Sequence, residues 1–330
     1  MGPLILLLTT FIWGTAFLAQ KLGADTLGPF AMTAVRNLLG GAFLLGVIAV
    51  RNARRRPDAS APARPSVRRS ILAGVCCGVP LFFAMLTQQI GIERTNPGVC
   101  AFLTTNYVLI VPLGAALLTR TWPRPPIWLG VALALAGTYF ISFDDVSLSI
   151  GSGEAWTLLC ALLFSVQMLC VDHFAKASDL LVMSAVQLLT CFVVGFPFLF
   201  LESEGPRLVA FLSGLLARPT TLLPVFYCGV FSSGIAYTLQ NFGQARTPPA
   251  LAAILLSTES VFGALSGYVV LGDALSARQF CGCALVFAAA VLTSLLSALA
   301  PKCAGEAKDA RSPRSSGCPL RQFCHRLWQN

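Results

Sequence analysis

The sequence predicts an all-α membrane protein of ten transmembrane helices, built as two inverted five-helix repeats with the N- and C-termini cytoplasmic. Three observations lead there. Hydrophobic residues make up 56% of the 330 and charged residues only 11%, where a soluble domain carries about 25% charged residues. Apolar stretches recur along nearly the whole chain, each near the roughly 20 residues that a helix needs to cross a hydrocarbon core. The two halves also echo one another at an offset of 151 or 152 residues. The mean hydropathy of +0.75 agrees with this class and argues against a soluble fold.

Taken in order, the spans read as 3–22, 29–50, 70–92, 97–119, 126–143, 153–173, 180–201, 222–242, 250–271 and 276–299. The first, "MGPLILLLTTFIWGTAFLAQK", lacks the basic n-region and small-residue cleavage site of a signal peptide, so it is expected to persist as a helix. The second opens at Pro29 and has Arg36 as its one charge within "FAMTAVRNLLGGAFLLGV". Its Gly40–Gly41 pair reads as a site of close helix packing, as do Gly263 and Gly267 in the ninth span. The third span runs through "RTNP" into the fourth, where Pro112 interrupts the hydrogen-bond ladder and supports a kink. The fifth and sixth flank the midpoint, and the seventh to tenth complete a second set of five.

Connections are short except 51–69, rich in arginine, proline and alanine, and 202–221, which holds Glu202, Glu204, Pro206 and Pro219. Glycine (28) and proline (20) are frequent inside the spans, which transmembrane helices tolerate better than soluble ones. The chain thus divides into a first repeat over 1–150, a second over 151–300, and a basic polar tail over 301–330 that is expected to be disordered or peripheral.

Orientation follows from the basic residues. With the N-terminus in the cytoplasm, seventeen of the 23 lysines and arginines fall inside, five outside, and Arg36 within the membrane. That asymmetry is a positive-inside signal. The net charge of +9 then reflects topology and contact with anionic headgroups, not nucleic acid. Nine of the twelve cysteines lie in or beside spans and read as small packing residues. Cys303, Cys318, Cys324 and His325 share the tail at irregular spacing, a weak metal signal, so neither a metal nor a cofactor is expected.

The repeat is clearest where the third span joins the fourth. "GIERTNPGVCAFLTTNYVLIVPLGAALL" lies over "FGQARTPPALAAILLSTESVFGALSGYVV", so that Arg94, Thr95 and Pro97 match Arg246, Thr247 and Pro249. Because each half has five spans, the halves must lie in opposite senses. Inverted pairs of this kind are a recurring plan of secondary transporters, with substrate between the halves.

Polar residues at depth mark the candidate site. Arg36 lies seven residues from Pro29, about 10.5 Å along the helix, and lipid exposure there costs on the order of 3 kcal/mol. Three roles stay open for it: contact with an anionic substrate group or cavity organisation, a structural ion pair or helix tie, and snorkelling to the interface. Glu259 lies near the midplane, flanked by Ser257, Thr258 and Ser260. A carboxyl there is a natural proton-coupling group, although pairing with Arg36 or silent bonding to hydroxyls are also open. Tyr107 and Asn106 stand at the repeat positions of Glu259 and Thr258, so they are expected to face the same cavity. Gln187 stands at Arg36 plus 151, a neutral group opposite the charge. Trp13, mid-span and away from the interfacial belt, reads as cavity wall or packing. Gln20, Gln88, Gln89, Gln167, Tyr237, Gln240 and Asn241 fill out the polar list, their amides serving equally well as interhelical ties. Asp144, Asp145, Asp172, His173, Lys176 and Asp179 fall at span ends and read as solvated faces.

Several stretches resemble one known family. They are "FIWGTAFLAQKLG" in the first span, "PFAMTAVR" opening the second, "ALLFSVQMLCVDHFAK" in the sixth, and "TESVFGALSGYVVLGDALSARQFCGCALVFAAAVL" across the ninth and tenth. In order and spacing they are similar to the drug/metabolite transporter superfamily, within it the ten-helix EamA-type transporters, over residues 1 to about 299. Asp273 stands where that family usually has glutamate. The resemblance implies a multi-pass carrier of the bacterial plasma or inner membrane. It would export small metabolites, amino acids or drugs by alternating access, with proton coupling or facilitated movement. The rival readings are a channel-like facilitator, and a membrane-embedded enzyme or scaffold. Only two histidines exist, His173 at the very end of the sixth span and His325 in the tail, which argues against histidine-based chemistry and for a non-enzyme. The expected partners are a small-molecule substrate bearing an anionic group, protons and the lipid bilayer, with monomer and homodimer both open.

Overall fold

The computed structural model describes residues 1–24, 27–54, 65–95, 97–142, 151–200, 205–214, 222–272 and 275–299. Among them there is no strand, and ten helical stretches are long and apolar enough to cross a membrane. The tail with its three cysteines and His325, and the acids Asp144, Asp145 and Asp273, lie outside the described residues.

Helix α1 (Gly2–Ala24) is followed by α2 (Pro29–Ala53), whose start is set by Pro29 after an extended Gly28. Proline suits a first helical position because the amide it lacks would be unpaired there. Helix α3 (Val67–Arg94) contains Pro80. The fourth span is two helices, α4 (Pro97–Thr105) and α5 (Tyr107–Thr119), broken at Asn106. Helix α6 (Pro125–Ser142) completes the first half. The second half has α7 (Ser152–Ala175) and α8 (Leu180–Gly195), the latter running into a 3-10 turn at Phe196–Phe200. Then come α9 (Gly205–Gly214), α10 (Leu222–Phe226), a π-helical stretch Tyr227–Ala236 and α11 (Tyr237–Gln244). The ninth span is again two helices, α12 (Pro249–Leu256) and α13 (Glu259–Leu271), and α14 (Ala277–Leu299) is the last.

Three features depart from uninterrupted spans. Both breaks are tight turns of i to i−3 bonds, Asn106 N to Leu103 O (3.2 Å) and Thr258 N to Leu255 O (3.2 Å). At each, local side chains compete for the backbone. Asn106 Nδ2 donates to the carbonyls of Phe102 and Leu103, and the hydroxyls of Ser257, Thr258 and Ser260 each donate three residues back. The eighth span is wound as a π-helix where Gly229, Ser232, Ser233 and Gly234 leave little side chain to pack, a form often found at functional sites. The short α9 occupies part of the connection expected as a loop.

Packing centres on α3, which lies against α7 and α8, while α2 packs on α8 and the π stretch and α14 on α6. Glycine permits the closest approach. A Cβ on Gly40 would stand 2.8 Å from Gly229 O and 2.9 Å from Gly234 N, and one on Gly137 would stand 2.7 Å from Gly282 O. The outer faces are apolar, as Leu117, Val193, Val269 and Val270 illustrate, and suit a hydrocarbon surround.

Two polar ties mark the ends of the bundle. At one end Asp179 caps α8, accepting from the amides of Leu181 and Val182, and Arg51 Nη1 reaches it at 3.0 Å. Its own amide donates to Ser70 Oγ at 2.8 Å. Asp179 therefore ties α2, α3 and α8 and is more than a solvated face. At the other end Thr95 Oγ1 donates to Glu154, whose carboxylate also accepts from Gly151 N at 2.9 Å to cap α7.

Candidate functional site

The helix breaks and the π stretch converge on one cavity of about 30 Å³, whose polar wall includes Gln20, Arg36, Gln88, Tyr107, Gln240 and Glu259. That volume holds one or two waters. Trp13 and Tyr237 wall it, their ring centroids 4.8 Å apart, and Trp13 Nε1 donates to the carbonyl of Ser232 at 3.1 Å. The apolar wall comes from Phe17, Phe164, Met168 and Leu256.

Arg36 is only 4% exposed. Its Nε donates to Ser233 Oγ (3.1 Å), Nη1 to Gln20 Oε1 (3.0 Å) and Nη2 to Ser232 Oγ (2.8 Å). All three acceptors are neutral, and among the described residues no carboxylate stands within ion-pair distance of it. Snorkelling is thus set aside, since the guanidinium points into the bundle. A buried charge with no counter-charge is costly by several kcal/mol, and three charge-assisted hydrogen bonds offset that only in part.

Glu259, also 4% exposed, begins α13 just after the second break. Tyr107, which begins α5 just after the first, donates its hydroxyl to Glu259 Oε1 at 3.1 Å. The bond joins the two halves of the chain through residues 152 positions apart. The carboxyl sits at a helix N-terminus, where the helix dipole favours negative charge.

Of the residues singled out from sequence, Arg36, Trp13, Gln20, Gln88, Tyr107, Tyr237, Gln240 and Glu259 line this cavity. Gln167, Gln187 and Asn241 lie behind it. Gln167 Oε1 accepts from Gln240 Nε2 at 3.3 Å, and Asn241 Nδ2 donates to Ser184 Oγ (2.9 Å) and Gln187 Oε1 (3.1 Å). Asn106 is turned back on its own helix, and Gln89 is buried with neither amide atom partnered. Ser232, Ser233 and Thr104 were not singled out, and Ser232 and Thr104 line the cavity. Gln88 and Gln240 also match one another across the two halves. Extending the matched junction upstream sets Gln88–Gln89 over Gln240–Asn241, each six residues before the arginine–threonine pair. The two serines carry no such signal, because paired small hydroxyls in an apolar helix are common packing residues.

Comparison with known proteins gives a consistent picture. The profile of the EamA-like transporter family matches residues 1–143 and again 151–295. The chain is 25% identical to an uncharacterised transporter of Archaeoglobus fulgidus over 88% of its own length and 84% of that protein. It is 27% identical to the transporter YwfM of Bacillus subtilis, covering 86% and 90%. With the inner membrane transporter YedA of Escherichia coli it shares 24%, covering 88% and 89%. A solved crystal structure superposes with a TM-score of 0.66 at 21% identity, covering 90% of this chain and 97% of the other, which supports the fold.

Proposed function

This chain belongs to the EamA-like transporter family, and from that premise we propose that it is a secondary transporter exporting small anionic metabolites by alternating access. As a multi-pass membrane protein of ten apolar helices, it has the frame for such a cycle. The two family matches of near-equal length, and the Tyr107–Glu259 bond between equivalent positions, support an inverted pair of halves. The excess of basic residues on one set of connections supports cytoplasmic termini.

The observation that carries the proposal is Arg36, a buried cation at the cavity wall held by neutral groups alone. Its missing counter-charge is the substrate's: a carboxylate or phosphate docks on the guanidinium, with Ser232 and Gln20 beside it. Glu259 and Tyr107 serve the other end of the substrate and the proton. Glu259 takes up a proton in one state of the cycle and releases it toward one side, with Tyr107 holding its orientation.

The test works whichever small acid is carried. Purified protein is screened for thermal stabilisation by matched pairs of small acids and their neutral amides. A ligand at about 100 times its Kd stabilises by about 2.7 kcal/mol. The expected result is that acids shift the melting temperature and amides do not, and that Arg36→Gln erases the preference. Equal stabilisation by acids and amides, or an acid preference that survives Arg36→Gln, would overturn the assignment.

A further inference from the structure

The two matched amide pairs are unequally bonded. Near the Arg51–Asp179 end, Asn241 donates to Ser184 and Gln187, and Gln240 to Gln167, so α11 is bonded to α7 and α8, although the carbonyl oxygens of Gln240 and Asn241 have no partner. Near the Thr95–Glu154 end, the equivalents on α3 are slack. Gln88 reaches Thr104 only at 3.5 Å, and Gln89, 1% exposed, leaves both Nε2 and Oε1 without a partner. An amide buried in that way costs the full desolvation of its polar atoms with no bond in return. A side chain of this kind calls for a second arrangement in which it is satisfied.

The repeat says what that arrangement is. Ser184 and Gln187, the partners of Asn241, correspond at the offset of 151 to Thr33 and Arg36. Both lie on α2, Thr33 at the level of Gln89 and Arg36 nearly one turn deeper, beside Asn37. Asn37 Nδ2 contacts Met85 Sδ at 3.5 Å, and one helical turn from that contact toward the same end stand Thr33 on α2 and Gln89 on α3. We infer that Gln89 is the latch of the opposite gate: when the end now held by Asn241 opens, Gln89 accepts Arg36 through Oε1 and closes on α2 beside Thr33. In that state Arg36 leaves Ser232 and Ser233, so Gln89 competes with the substrate's anion for the guanidinium. Gln89 is thus a positioning residue of the transport cycle, acting through Arg36. The inference rests on the alternating-access reading above, and the experiment separates the two.

Hydrogen–deuterium exchange is measured on the full chain in lipid nanodiscs, without ligand, for wild type, Asn241→Leu and Gln89→Leu. Leucine matches the branched shape of asparagine and is close to glutamine in bulk, without the polar atoms of either. Because Gln89→Leu removes only unpartnered atoms from the present state, it folds at least as well as wild type. Losing one net hydrogen bond shifts a two-state population about fivefold. The latch requires opposite and reciprocal effects. Asn241→Leu raises exchange about fivefold over 238–247 and lowers it over 84–95, whereas Gln89→Leu lowers exchange over 238–247. If Asn241→Leu acts reciprocally and Gln89→Leu leaves 238–247 unchanged, the chain alternates and Gln89 is not its latch. If each variant alters only its own neighbourhood, the alternating-access reading falls with it.

Discussion

Gly40 and Gly46 lie on the same helix and make opposite predictions. An alanine at 40 would place its Cβ 2.8 Å from the carbonyl oxygen of Gly229, 2.9 Å from the amide nitrogen of Gly234 and 3.0 Å from Leu188 Cδ1. Two of those neighbours are backbone and cannot turn aside, so the π stretch must move outward by several tenths of an ångström. An alanine at 46 meets nothing within 4 Å. Glycine inside a helix is less favourable than alanine by roughly 0.5–1 kcal/mol, and that gain is common to both variants. The difference between them isolates the overpacking, about 1–3 kcal/mol. Equilibrium unfolding in mixed micelles measures it, with Gly46→Ala equal to or more stable than wild type and Gly40→Ala less stable by that margin. The same shift drags Ser232 and Ser233 from Arg36, so Gly40→Ala also weakens stabilisation by acids. If Gly40→Ala were as stable as Gly46→Ala, the close contact of α2 with the eighth span would be refuted.

Two further outcomes are expected. Burial alone would raise the pKa of Asp179, but the hydrogen bond and charge of Arg51, with the amides of Val182 and Leu181, outweigh it and hold the carboxyl below its usual range. A folded pKa below the unfolded value contributes stability above the ordinary carboxylate pKa of about 3.9, which is lost as pH falls through the lowered value. Asp179→Asn should therefore destabilise at neutral pH and converge with wild type in strong acid; a gap in unfolding midpoints that does not change with pH would contradict this. Glu259→Gln should remove the dependence on a pH gradient from vesicle accumulation of any acid found in the thermal screen, while acid binding at Arg36 persists; undiminished gradient-driven uptake would rule out Glu259 as the coupling group.

What the sequence determined by itself was the frame and the two charges. Ten apolar runs of membrane-spanning length leave little choice of fold, because in hydrocarbon each backbone amide must be satisfied within its own helix. Arg36 and Glu259 stood out because charge at depth is too costly to keep without a use. The matched positions of Tyr107 and Glu259 pointed to a shared cavity, and in the structure a 3.1 Å hydrogen bond joins the two, a pairing the sequence did not indicate. Only the tertiary structure decided which polar residues share the cavity and which tie helices together. Gln187 and Asn241 look no different in sequence from Gln20 and Gln88, since an amide bonds equally well to a ligand or to a neighbouring helix, and which it does depends on how the helices rotate against one another. The partners of Arg36 were equally hidden: two serines 197 and 196 positions away are brought to it by a π-helical turn and a glycine contact. Hydropathy reports how deep a residue lies. Only packing decides which neighbour it meets there.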